Sequence, residues 1–346
     1  MSIPKSRLAY VQHQKRLEKY LKLIKEVIKR NAKDIALSVA VSNLDPTKPF
    51  SFKNNPLLRR QVMEIVNRFV RETTATITLG MMSEWQEMNS FKTKFAKAVL
   101  SKYGVKDVMR YGKYFKDNED ALSAFTARRI NGMNLSQRIW KEGYEYQTAL
   151  EDAIGCSIYK GISAVRLARR LERYMTDHDK LEKDYEAKFD EKPKSQNVSY
   201  EAMRLARTEI NMAYRYADYL SNQQLDFVLG FEVKRSGGLD RERTGDESWV
   251  YDCEVCESLK GRYPKDFIFT GWHPNCRCYT IPILMTEDEF FSTEPVNPKN
   301  KVTDVPDGFK RWVVDNEERI RKAEERGKLP YFLQENRQVF ENILSA

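Results

Sequence analysis

Four of the five cysteines of this 346-residue chain, and one of its three histidines, lie in the 26 residues from Cys253 to Cys278, CEVCESLKGRYPKDFIFTGWHPNCRC. A segment this rich in soft donors must bridge them, bury them or set them around a metal ion. Cys253-x-x-Cys256 is one half of a zinc knuckle, whose tight turn lets both sulfurs face one ion. His273-x-x-Cys276-x-Cys278 supplies the other half, across a workable loop of 16 residues between Cys256 and His273. Structural zinc takes four donors in a tetrahedron and leaves no position open. Five candidates compete for four places. Cys253, Cys256 and Cys276 belong to the favoured site, and the fourth place is left between His273 and Cys278. The competing account is free buried thiols, or a disulfide formed outside the cell, with His273 as a turn or core residue.

Two arguments favour the metal. The N-terminus, MSIPKSRLAYVQHQKRLEKY, shows no apolar core of a secretory signal. The expected compartment is therefore a reducing cytosol, where clustered cysteines read as ligands rather than disulfides. The second argument is energetic. The region around the cysteines reads as short strands and a long loop with few large apolar residues, too small a piece to order itself by burial. One structural zinc ion contributes on the order of 10–16 kcal/mol to small zinc domains, far more than the slowly growing cost of loop closure.

Hydrophobic residues make up 41% and charged residues 32% of the chain, with a net charge of +9, as expected of a soluble, heavily charged globular protein. No apolar run approaches the roughly 18 residues of a membrane span. A length of 346 residues suits two or three domains.

Leu17, Tyr20, Leu21, Ile24, Val27 and Ile28 predict an amphipathic helix over residues 8–35. Its other face carries Lys15, Arg16, Lys19, Lys22, Lys25, Lys29 and Arg30, which is either a solvated face or a contact for a polyanion, such as weak nucleic-acid binding, or for a partner. Asn55 and Pro56 open a second helix, and the β-branched run TTATITLG is expected to bend or end it at Gly80. Two helices follow in the stretch from NLSQRIW to RLERYM, the second capped by Ser163, with Cys156 buried between apolar neighbours. The charge run over residues 176–199 reads as an exposed helix end plus a loop. VSYEAMRLARTEINMAYRYADYLSNQQ is a further helix. Period-two alternation in FEVKRS and SWVYD predicts a hairpin. CYTIPILM predicts a third strand, placed at an edge by Pro282. A proline-rich linker and helical patches end the chain.

Motifs for catalysis are missing. There is no H-x-E followed by P-C-x-x-C of a nucleobase deaminase, no H-E-x-x-H, no G-x-S-x-G and no phosphate-binding glycine loop. His13 and His178 fall in charged contexts and read as surface residues. A Cys256–His273 nucleophile pair would use the same atoms as the metal.

Several of these stretches together resemble the phage Mu F-like minor head proteins, the head-morphogenesis family of tailed phages. NLSQRIW and KGISAVRLARRL are similar to its helical lead-in. LARTEINMAYRYA carries its Ala-Arg-Thr-Glu helix at Ala206, Arg207, Thr208 and Glu209. SWVYDCEVCESLKG is similar to its Asp-x-x-Val-Cys-x-x-Cys-x-x-Leu-x-Gly, with the departure that Cys253 directly follows Asp252 and Val255 falls between the cysteines. HPNCRCYTIP carries its closing His-Pro-x-Cys-Arg-Cys. The likeness covers about residues 130–286.

The resemblance implies a low-copy, non-enzymatic part of the prohead, present in the host cytoplasm during assembly and then in the virion or prohead interior. Its implied partners are the portal, the major capsid protein or the scaffold, with non-specific DNA nearby and no membrane. The expected fold class is α+β, a predominantly helical body with a small zinc-stabilised antiparallel β module near residues 229–286. The expected divisions are a helical N-terminal domain (1–125), the helical core of the Mu F-like region (126–228), the β-hairpin zinc module (229–286), and a linker with a helical tail (287–346). No catalytic residue is expected. Arg207 and Glu209 are structural candidates or plain surface charges, Arg207 being a possible tie to a carboxylate of the β module. Gly261 is expected at a turn needing positive φ. Two rival readings stand beside this one: a zinc-containing nucleic-acid-binding protein or nuclease, and a carrier of a toxin in the tail.

Overall fold

The computed structural model describes residues 3–42, 44–130, 132–159, 162–235, 253–294 and 297–345. The fold is α+β, mostly helical with one small antiparallel sheet. Its long helices are α1 (Ser6–Ala40), α2 (Pro56–Lys102), α4 (Leu135–Ser157) and α7 (Val198–Gln224), with shorter α3 (Glu119–Ala127), α5 (Ala164–Thr176) and α6 (His178–Phe189). None of the described helices is long and apolar enough to cross a membrane.

The chain divides into two compact units. One holds residues 17–80 and 127–207. In it α4 packs against α5 and α6. Asn134 and Gln137 close a capping box at the start of α4, satisfying two N–H groups that the helix leaves open. Tyr146 stacks on Phe69 at 4.3 Å between ring centres. Gly143 faces Val70 so closely that a Cβ would meet its methyl at 2.6 Å. The charge run forms a helix of its own, α6, because Leu181 and Tyr185 bury one side of it.

Helix α2 does not end at Gly80 but continues to Lys102. Thr74 and Thr76 turn their hydroxyls back to the carbonyls of Val70 and Glu72 at 2.7 and 2.8 Å. Those back-bonds give the two hydroxyls partners inside the helix.

The other unit holds residues 1–16, 81–126 and 208–346. Its sheet has the order β2–β1–β3, with β1 Val228–Lys234, β2 Gly261–Pro264 and β3 Tyr279–Leu284, all antiparallel. Strand β3 is at the edge as Pro282 demands, with Pro282 opposite Phe231. The second strand expected at SWVYD lies outside the described residues, and the neighbour of β1 on that side is β2. Gly230 is needed in mid-strand because a Cβ there would meet the Tyr263 carbonyl at 2.7 Å. Gly261 has φ +146°, as expected, but it starts β2 and faces Pro306 rather than forming a free turn.

The region carries more large apolar residues than expected, and its core is completed by the tail. Phe231, Tyr263, Phe267, Phe269 and Trp272 are buried together with Phe309, Phe332, Leu333 and Phe340. The last four come from the C-terminal helices α10 (Asp307–Asp315), α12 (Tyr331–Glu335) and α13 (Arg337–Leu344). These helices, with α9 (Glu287–Phe291) and α11 (Glu317–Glu325), complete the β module. Phe309 meets Tyr263 and Phe267 edge-on at 5.9 and 5.5 Å, a geometry that aromatic quadrupoles prefer.

His13 is the second correction. It is fully buried rather than on the surface. Its Nδ1 lies 2.7 Å from Glu84 Oε2, its Nε2 lies 2.7 Å from Asn211 Oδ1, and its ring stacks on Tyr214. Glu84 also accepts two hydrogen bonds from Arg16. Burial raises the carboxyl pKa, but the His13 and Arg16 hydrogen bonds outweigh it and the net shift is downward. His178 is half-buried, its Nε2 on the Ser195 carbonyl.

Candidate metal centre

Each half-site is shaped by its own sequence. Cys253 sits at the N-cap of the five-residue helix α8, Glu254–Ser258, where its sulfur accepts the Cys256 N–H at 3.5 Å. One helical turn therefore brings both sulfurs to the same end. In the second half, the Cys276 N–H donates to the His273 carbonyl at 3.1 Å, closing a turn through Pro274 and Asn275. Asn275 has φ +67°. Proline followed by a residue that tolerates positive φ is the pair a type II turn requires. The turn returns the chain so that His273 and Cys276 face α8.

The halves converge. His273 Nε2 lies 3.3 Å from Cys253 Sγ and 3.1 Å from Cys256 Sγ, and Cys256 Sγ lies 4.0 Å from Cys276 Sγ. The five donors form two groups able to hold a metal ion, Cys253–Cys256–His273 and Cys256–Cys276–Cys278, with Cys256 common to both. The imidazole is oriented for this use. Its Nδ1 lies 2.8 Å from the Pro274 carbonyl, and because a carbonyl only accepts, Nδ1 carries the proton and Nε2 presents a lone pair. Cys256, Cys276 and Cys278 are buried, while Cys253 and His273 are partly open.

The three buried thiols perturb one another. Contacts with Cys276 and Cys278, and then burial, push Cys256 up. Burial also raises Cys276, but the Cys256 and Cys278 contacts and the Arg215 charge win and hold it well below the usual thiol range. Cys278 is lowered by its Cys256 contact, yet the Cys276 contact and burial leave it raised. A divalent cation is the species that stabilises several thiolates at once.

The other singled-out residues lie elsewhere. Arg207 donates to Glu18 of α1 at 3.0 Å, and the α7 residues that reach the ligand loop are Thr208 and, about two turns on, Arg215. Glu209 is fully buried rather than a surface charge. Cys156 is buried, as expected. Of the basic face of α1, Arg16 is committed to Glu84 and Glu87, Arg30 to Glu72, and Lys29 lies near Glu26 and Glu172. Lys15, Lys19, Lys22 and Lys25 are exposed. The sequence marks Arg215, together with Arg204, Arg207 and Glu209, only as polar residues of which some pack in, although Asn211, Arg215, Asp218 and Asn222 recur at four- and three-residue spacing, a polar stripe on a helix that is otherwise apolar on that side.

Comparison of the chain with protein-family models, with curated proteins and with solved structures finds no match.

Proposed function

We propose that this protein is a structural minor head component of a tailed phage, acting in head morphogenesis, with one structural zinc ion clasping its β module. The observation that carries the proposal is the convergence of Cys253-x-x-Cys256 on the turn of the His273-Pro-x-Cys276-Arg-Cys278 motif, the two most specific elements of the family resemblance. Zinc suits the donor set of thiolates and one imidazole. With Zn–S near 2.3 Å and Zn–N near 2.0–2.1 Å, a tetrahedral site has S···S edges of about 3.8 Å and S···N edges of about 3.6 Å. The S···S separation of 4.0 Å stands close to its edge, and the S···N separations of 3.3 and 3.1 Å are shorter than theirs.

A scaffolding role fits the rest of the molecule better than catalysis does. His13 has both ring nitrogens engaged in the core, His178 faces a backbone carbonyl and His273 faces the thiols. The histidine base of an HNH-type nuclease would have to come from one of these. The tail is built into the core of the β module, which speaks against a detachable toxin. The partners of such a part are the portal, the major capsid protein or the scaffold, inside the prohead or virion. Mass spectrometry of purified proheads and virions tests this: the protein should be present at a fixed low ratio to portal subunits. Its consistent absence from both particles would end the proposal.

Exposed Lys15, Lys19, Lys22 and Lys25 supply a contact for packaged DNA. Phosphate neutralisation gives sequence-independent affinity that falls steeply between about 50 and about 200 mM salt. Replacing Lys15, Lys19 and Lys22 with glutamine should flatten the log–log salt slope by about three, close to one per lysine. A filter-binding titration in which the wild-type protein shows no salt dependence removes the contact.

A further inference from the structure

Arg215 lies 4% exposed in the middle of α7. Its Nη1 donates to the Thr270 carbonyl at 3.0 Å, and its Nη2 donates to the carbonyls of Cys276 and Cys278 at 2.8 and 2.7 Å. Those three carbonyls bracket the segment that carries His273, Cys276 and Cys278. The guanidinium also lies over the Phe269 ring at 5.4 Å. The backbone has been fitted to it. Gly271 has φ +128°, and a Cβ there would meet Arg215 Nη1 at 2.7 Å. Thr208, two turns earlier on α7, fixes the same loop by accepting the Asn275 N–H at 3.0 Å.

A buried guanidinium ordinarily has a carboxylate beside it, because an uncompensated buried charge is costly. Among the described residues no carboxylate is within ion-pair distance of Arg215. The nearest acid on its own helix face, Asp218, is paired with Lys92 at 2.6 Å. What faces Arg215 instead is the cysteine loop. A divalent cation on three or four thiolates carries net negative charge, and Arg215 is the cation placed to balance it.

We propose that Arg215 is the positioning residue and counter-cation of the metal centre: its fork holds the His273–Cys278 loop in the ligating conformation, and its charge offsets that of the metal–thiolate group. This rests on the zinc reading above and adds the residue that gives the site its affinity. It also joins metal occupancy to the packing of α7, since the same side chain serves both.

The test is metal affinity by competition between the full-length protein and a chromogenic chelator, with zinc and with cobalt as probes, beside thermal melts. Removing an outer partner of a metal site typically costs about 10- to 100-fold in affinity, and Arg215→Met should show that loss. Arg215→Lys keeps the charge but not the fork and should fall between. Gly271→Ala, which displaces the guanidinium without removing it, should also weaken binding. Phe95→Ala separates this from general destabilisation: Phe95 belongs to the other apolar cluster of the unit, with Phe227 and Val228. It should lower the melting temperature and leave metal affinity unchanged. A folded Arg215→Met protein with wild-type affinity overturns the inference, as does wild-type affinity in Arg215→Lys and Gly271→Ala should Arg215→Met not fold. A wild-type protein that binds neither metal fails the zinc reading itself and is recognised before any variant is compared.

Discussion

Chelation of the metal, or Cys256→Ser, is expected to lower the melting temperature by about 10 °C while most of the helical circular dichroism remains. Cys256 is chosen because it belongs to both donor groups, so its loss takes a sulfur from each and leaves three thiols and the imidazole. A ligand present at about 1,000 times its dissociation constant stabilises the folded state by about 4 kcal/mol. In a domain of roughly 150–250 residues each kcal/mol moves the midpoint by about 2–4 °C. The effect should stop short of unfolding because the β module has an aromatic core of its own, centred on Tyr263, Trp272 and Phe309. Cys253→Ser and Cys278→Ser, each in only one group, should cost less than Cys256→Ser. Calorimetry with and without chelator decides the matter. An unchanged midpoint in both the stripped protein and Cys256→Ser would mean that no ion contributes to the fold.

The helices were legible because their signals are local. Periodic apolar residues, Ser163 as a cap and Pro56 at a first position act within a few residues of themselves, and α7 runs over the same residues, 198–224, that its sequence pattern marks. The cysteine spacing was legible for the same reason: a helical turn between Cys253 and Cys256 and a Pro-Asn turn between His273 and Cys276 are each short-range constructions. What the sequence hid was non-local. β2 is four residues long and earns its place only by pairing with β1, so no alternation marks it. The core of the β module is split between residues 231–278 and 305–340, and neither half looks sufficient alone. His13 was misplaced by the charges around it, although it continues the three- and four-residue spacing of Tyr10, Leu17, Leu21 and Ile24. A polar residue on an apolar stripe is a buried residue with partners elsewhere, and both His13 and Arg215 obey that rule.

Deleting residues 304–346 should have the largest effect of any change short of removing the ligands. The segment contributes Val305, Phe309, Val313, Ile320, Leu329, Phe332, Leu333 and Phe340 to the cluster that packs on the metal loops. Asn336 also ties it to the backbone of Ile268, accepting its N–H at 2.8 Å and donating to its carbonyl at 2.9 Å. Without the tail, Phe231, Phe267, Phe269 and Trp272 would face water, and truncating even one buried phenylalanine typically costs about 3–5 kcal/mol. The single substitution Phe309→Ala is the milder form, since Phe309 is fully buried and touches the Tyr263, Phe267, Trp272 and Phe332 rings. It should lower the melting temperature by roughly 6–20 °C at about 2–4 °C per kcal/mol. The deletion should leave a protein that aggregates or binds metal at least tenfold more weakly. A tail-deleted protein that stays monomeric and binds zinc as tightly as the full chain would show that the C-terminal helices are an appendage, and would reopen the reading of the tail as cargo.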